Sequence, residues 1–156
     1  MANINVSQTA NFVSLVISTS SVFTTATSLV IPALQDITVT NNNGTFRWKQ
    51  LDALGQLVAV TPATNSLNLT LVLDGPSFYG TQWPTYATTG SAAQIGLFQL
   101  SNQKQQVYFQ MDWGGGSANM VTGNGYLSGL APKVTPDQPV WISPLIIEVN
   151  GQYGTA

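Results

Sequence analysis

The sequence contains no cysteine and no histidine. Without cysteine there is no disulfide to close the fold and no thiolate for nucleophilic or redox chemistry. Without histidine the chain lacks the side chain that most often serves as a general base near neutral pH and as a metal ligand. Charge is scarce too: 6% of residues are Asp, Glu, Lys or Arg, against roughly 25% in ordinary soluble domains. Only four residues are basic, far short of the footprint that neutralising a run of phosphates requires. Met1-Ala2-Asn3-Ile4-Asn5 offers no positively charged n-region, and no apolar run approaches the length of a membrane span. The expectation is a soluble chain that starts as written or has lost its signal.

What is present is a chain of 156 residues, 44% of them apolar, with Thr, Ser, Asn, Gln and Gly filling the place of the missing charges. That length buries on the order of two-thirds of the unfolded surface in one domain, so residues 1–156 read as a single unit. A surface of neutral amides and hydroxyls with a net charge of −2 has little self-repulsion to keep copies apart. Two classes of protein have this composition: one that packs against itself, and a secreted sugar-binding or adhesive β-protein.

Along the chain, residues 1–11 are polar with isolated Ile4 and Val6 and read as an extended arm. Phe12 to Ser18 and Val22 to Ile31 are rich in Val, Ile, Phe and Thr, which suit a pleated surface, and Pro32 closes them. A strand from Asp36 runs to Asn41-Asn42-Asn43-Gly44, whose residues tolerate positive φ and predict a turn. The return through Phe46, Arg47, Trp48 and Lys49 interleaves two of the four basic residues with two aromatics. Stacking on bases or sugar rings is one use of such a cluster; insertion into a neighbouring subunit, where Arg and Trp are enriched, is the other. Because Gly55 and Pro62 break the apolar stretch from Leu51 to Thr61, 40–66 reads as a long excursion from the sheet. Leu67, Leu69, Leu71 and Leu73 then alternate with Asn68, Thr70 and Val72 as a half-buried strand.

Ser77 to Gly90 is a loop carrying Phe78, Tyr79, Trp83 and Tyr86. Ser91 predicts an N-cap for one short helix, about 91–101, with Ala93, Leu97, Leu100 and Phe98 on its apolar face and Gly96 weakening it. Strands at Gln105–Trp113 and Asn119–Ser128 flank Gly114-Gly115-Gly116-Ser117. In the last third, Gly123 to Gly151, a proline-rich corner (Pro132, Thr135, Pro136, Asp137) separates Gly-Tyr-Leu-Ser-Gly-Leu from a strand at about Val140 to Val149. Trp141, Leu145, Ile147 and Val149 share one face of that strand, and the other is largely apolar as well. Pro144 has no N–H for a ladder, which predicts a sheet edge or a bulge, and an apolar edge invites a partner.

The carboxylates Asp36, Asp52, Asp74, Asp112, Asp137 and Glu148 have no spacing that commits them to acid–base work, and Asp74 and Asp137 sit beside Gly and Pro as turn formers. Gly123, Gly125 and Gly129 miss the dinucleotide fingerprint by one residue and precede prolines, not a helix. Nothing in this pattern calls for a catalytic residue, a cofactor or a metal.

The run from Ser91 through QIGLFQLSNQKQQVYFQMDW to GYLSGLAPKVTPDQPVWISPLIIEVNG resembles the major tail (tail-tube) proteins of long-tailed bacteriophages, including the lambda-like ones. The likeness covers about residues 66–151: a short helix, a strand, a glycine-containing strand, a polar Val-Thr-Pro-Asp corner and a final strand ending Val-Asn-Gly. It implies two packed antiparallel sheets, sandwich- or barrel-like, with one short flanking helix. It also implies a non-enzymatic virion protein, made in the host cytoplasm, whose homohexameric rings stack helically into a hollow tube. Its partners would be itself and the tail proteins at the tube ends, with DNA passing through without tight binding and with no membrane. The excursion at 40–66 would reach the next ring through Phe46, Arg47, Trp48 and Lys49, while Trp141, Leu145, Ile147 and Val149 would pack within a subunit or ring. Two other readings remain: a carbohydrate-binding module with Tyr79, Trp83 and Tyr86 as platform and Gln82 and Thr85 as polar partners, and a head-decoration protein.

Overall fold

The computed structural model describes residues 13–24, 28–31, 34–42, 44–52, 54–62, 64–82, 84–85, 89–112 and 120–155. The expected amino-terminal arm, the loop at 114–117 and the aromatics Trp83 and Tyr86 lie outside them. The first strands are β1 (Ser14–Ser18), β2 (Ser28–Val30), β3 (Leu34–Asn42), β4 (Thr45–Lys49), β5 (Gln56–Val60) and β6 (Thr64–Val72). Two helices come next, α1 (Gly75–Tyr79) and α2 (Ala92–Asn102). The chain closes with β7 (Gln106–Asp112), β8 (Met120–Ser128), β9 (Lys133–Thr135), β10 (Gln138–Val149) and β11 (Gly154–Thr155).

The expected mainly-β architecture is present, as two antiparallel sheets of unequal size. The larger has nine strands in the order β2-β1-β7-β8-β10-β6-β3, with β11 added beside β8 and β9 beside β10; β4 and β5 form the smaller. Period-2 patterning explains the larger sheet. Leu67, Leu69 and Leu71 of β6 are buried while Asn68 and Thr70 between them are half-buried. Leu15 and Ile17 of β1, Val107, Phe109 and Met111 of β7, and Leu145 and Ile147 of β10 repeat the pattern. These residues join Ala92, Ile95, Leu97 and Leu100 of α2 in one hydrophobic cluster, to which the small sheet contributes nothing. Each such side chain withdrawn from water contributes about 1.5–3 kcal/mol, so the helix is held by the sheet face it covers.

Helix α2 starts as its sequence predicts. The Ser91 hydroxyl accepts from the Gln94 amide and the Gln94 side chain accepts from the Ser91 amide, a reciprocal capping box. Its buried face differs from the expected one, however: Ile95 is buried and Phe98 is 40% exposed. The cause is Gly96, whose backbone (φ 82°, ψ 162°) is not helical and kinks the element. A kink resets the phase of the 3.6-residue repeat, so positions that share a stripe on a straight helix part company here.

Two expectations near strand ends are corrected. Asn41 and Asn42 belong to β3, paired with Asn65 and Thr64, and the chain does not reverse there; the reversal lies between Lys49 and Gln56. Local turn propensity is overridden because the buried Asn65 side chain holds the break in the ladder. Its Oδ1 accepts from the Asn42 amide at 2.9 Å and its Nδ2 donates to the Gly151 carbonyl at 2.9 Å. Similarly, β10 is not an edge strand: β6 pairs along one side, β8 and β9 along the other. Leu73 N donates to Trp141 O, so odd-numbered residues of β10 bond to β6 and Pro144 turns its nitrogen the other way. There β8 has ended at Ser128 and β9 begins only at Lys133, so the missing N–H interrupts no ladder. The Ser143 hydroxyl accepts from the Ala131 amide at 3.0 Å and donates to the Pro144 carbonyl at 2.8 Å across this gap.

Candidate assembly interface

Strands β4 and β5 form an arm attached to the main sheet through its β3–β6 edge. The Thr61 amide donates to the Gly44 carbonyl at 2.8 Å at its base. Phe46 stands opposite Ala59 and Trp48 opposite Leu57, so these four share one face. Arg47 stands opposite Val58 and Lys49 opposite Gln56 on the other. The sequence cluster Phe46-Arg47-Trp48-Lys49 is therefore split by the strand into an aromatic face and a basic one. The Phe46 and Trp48 rings stack on each other, with centroids 5.8 Å apart and planes 20° from parallel.

The arm is apolar and uncovered. Phe46, Leu57, Val58 and Val60 are exposed along it, and Leu51 and Leu54 at the tip are 110% and 108% exposed. Isolated surface leucines are ordinary, but a hairpin with this many contiguous apolar side chains marks an interaction surface. No periodicity in the sequence distinguishes Leu51 and Leu54 from core leucines, although their place beside Asp52 and Gly55 is what a tight reversal leaves outside.

A second surface lies at the other end of β6. Phe78 and Tyr79 of α1, Phe98 of α2, Leu73, Pro132 and Trp141 line a groove of about 500 Å³, with Asp74 as its charged residue. Phe78 meets Tyr79 edge-on at 4.9 Å and Phe98 at 5.5 Å. Of the residues predicted to pack at a β10 edge, Leu145 and Ile147 lie in the core and Val149 is half-buried, while Trp141 is 54% exposed at the groove. No sequence signal points to this groove, because its walls come from four separate parts of the chain.

The sheet face turned away from the core carries Asp36, Asp112 and Glu148 amid Thr38, Thr70, Asn68, Asn124 and Gln110, with Lys133 as the basic residue at one end. Among the described residues no three His, Cys, Asp or Glu side chains cluster as metal ligands would. No helix among them is long and apolar enough to cross a membrane. Of the expected sugar platform, Tyr79 belongs to the groove and Gln82 and Thr85 are exposed in a turn closed by a 2.9 Å Thr85 N to Gln82 O bond. Gly123 and Gly125 sit inside β8, where a Cβ on Gly125 would collide with the Glu148 carbonyl of β10. Their spacing serves strand packing.

No protein-family model and no curated protein sequence matches this chain. Solved structures do match its fold. A chain from the tail of an empty gene transfer agent particle, determined with C6 symmetry, superposes with a TM-score of 0.59 at 11% identity, over 91% of this chain and 95% of its own length. The fold is that of tail-tube proteins. A chain from the virion of a native gene transfer agent particle gives a TM-score of 0.57 at 11% identity, covering 91% of this chain and 95% of that one. A chain of the SPP1 tail tube gives 0.59 at 12% identity, covering 92% of this chain and 77% of that one. The likeness of this tail-tube fold to chains from gene transfer agents and from SPP1 does not single out the lambda-like branch.

Proposed function

We propose that this chain is the structural subunit of a phage-type tail tube, assembling as hexameric rings that stack into a hollow conduit for DNA, within a virion tail. What carries the reading is the tail-tube fold itself, shared over nine-tenths of this chain with subunits of assembled tails. The surface chemistry agrees with it. A ring requires a head-to-tail interface that closes, and stacking requires another, so one chain must present several adhesive surfaces; the arm and the groove are two. The polar outer sheet face, with three carboxylates and one lysine, suits a wall past which DNA slides, since every phosphate neutralised would add affinity and retard it. In this reading Phe46, Arg47, Trp48 and Lys49 contact the next ring, and other tail proteins meet the tube at its ends. No catalytic residue, cofactor or metal takes part.

Negative-stain microscopy of the purified chain at high concentration, with light scattering alongside, tests this. Hollow tubes or rings with six-fold rotational averages are expected. Three-fold rings would move the reading to a head-decoration protein, and a monomer at every concentration would overturn it.

A further inference from the structure

The arm and the groove lie at opposite ends of the same strand. β6 begins at Thr64, opposite Asn42 where the arm joins, and ends at Val72, next to Leu73 in the groove wall. Nine residues separate the two ends, about 30 Å at roughly 3.3 Å per residue. Within one chain the tip leaves the groove empty, since Leu51 and Leu54 are fully exposed.

We propose that the groove between α1, α2 and β10 receives the arm tip of a second copy of this chain, with Leu51 and Leu54 entering beside Phe98 and Trp141. This rests on the tail-tube reading and names the acceptor that the reading leaves open. Both surfaces are apolar, and the groove has room for two leucine side chains. Charge also matches. The arm carries Arg47 and Lys49 against Asp52, a net charge of +1, whereas the rest of the chain carries Lys104 and Lys133 against five carboxylates, a net charge of −3. Asp74 stands at the groove itself. A donor at one end and an acceptor at the other make a heterologous contact that repeats without closing, the geometry of a stack and not of a ring.

The absence of native cysteine allows a direct test. Leu54→Cys and Phe98→Cys are placed together in one chain, which is polymerised, oxidised and run on a denaturing gel. A proximity bond requires Cβ atoms about 3.5–4.5 Å apart, so a ladder of covalent multimers is expected for this pair and for Leu51→Cys with Trp141→Cys. All four positions are exposed, so the fold survives the changes. Leu54→Cys with Thr38→Cys, on the outer sheet face, is expected to give no ladder. Tubes that form without a ladder from either groove pair overturn the proposal and leave the tail-tube reading standing. A ladder from Phe98→Cys with Val6→Cys, in place of Leu54→Cys, gives the groove to the amino-terminal residues and also overturns it. Failure of the unmodified chain to form any polymer removes the tail-tube reading, and the proposal with it.

Discussion

Gly80 and Gly96 are packed backbone to backbone, each occupying the space where the other's neighbours would meet a side chain. A Cβ on Gly96 would strike the Gly80 amide nitrogen and the Tyr79 carbonyl carbon, and a Cβ on Gly80 would strike the carbonyl of Gln94. Both share one conformation, φ 86° and ψ 162° at Gly80, φ 82° and ψ 162° at Gly96, a region that only glycine occupies readily. This contact joins α1 to α2 and places Phe78, Tyr79 and Phe98 around the groove.

Gly96→Ala is therefore expected to destabilise the protein, by about 1–3 kcal/mol from backbone strain alone, with the collision adding to it. Urea unfolding checks this, and Gly80→Ala should behave alike. Unchanged midpoints for both would mean that the two helices can separate at no cost.

Asn65→Ala removes the partner of the Asn42 amide and of the Gly151 carbonyl together. The expected loss is about 1–3 kcal/mol for leaving buried polar groups unmatched, seen in unfolding and in faster hydrogen exchange at the Asn42 amide. A variant with wild-type exchange there would show that the arm's base is held by other bonds.

Leu51→Ser combined with Leu54→Ser is expected to leave the melting temperature unchanged, because both side chains are already in water, and to lower polymer yield. Trp48→Ala with Lys49→Glu should shorten or abolish polymers as well. Polymer yield by sedimentation, read beside thermal unfolding of the monomer, separates assembly from folding; full-length polymers from both variants would remove the arm from the interface.

Leu145→Ala and Trp141→Ala contrast two residues of one strand face. The first opens a cavity in the core and should cost about 2–5 kcal/mol. The second, more than half exposed, should change stability little and reduce polymer yield. Equal effects on unfolding would contradict the division between core and groove.

Tyr153 sets a pH dependence. Its hydroxyl lies 2.7 Å from the Thr40 carbonyl and 2.9 Å from the Ser66 carbonyl, and its ring meets Phe109 edge-on at 6.3 Å. Burial raises its pKa above the ordinary 10.0, so the folded state favours the protonated phenol. The stabilisation is fully present below the unfolded pKa and is lost as pH rises through the folded one. Docking of the carboxy-terminal residues should therefore weaken only at strongly alkaline pH. Tyr153→Phe should cost about 1 kcal/mol at neutral pH and flatten the alkaline limb of the stability profile; an unaltered limb would assign it to another group.

The strands with strict alternation were legible because period-2 burial is a local pattern: Leu67, Leu69 and Leu71 face the core wherever β6 sits in the sheet. Ser91 was legible as an N-cap for the same reason, since its capping partner Gln94 is three residues away. Asn41-Asn42-Asn43-Gly44 misled because turn propensity is a weak local preference, and the long-range bonds of Asn65 override it. Pro144 predicted an edge or a bulge, and its actual place, in a gap between pairing partners, depends on where β8 stops, a fact held 16 residues upstream at Ser128. Phe46, Arg47, Trp48 and Lys49 were recognisable as a cluster, but their division into two faces needed the β4–β5 register.

By itself the sequence determined the mainly-β class, the short helix capped by Ser91, the alternation that builds the core, and a charge-poor surface without the side chains of common catalysis. Composition and near-neighbour spacing suffice for these. Tertiary structure alone decided that β10 is central, that the helix kinks at Gly96, that the arm projects Leu51 and Leu54, and that Leu73, Phe98 and Trp141 meet in one groove. Each of these depends on strand order and on backbone contacts between residues far apart in the chain, which no local pattern encodes.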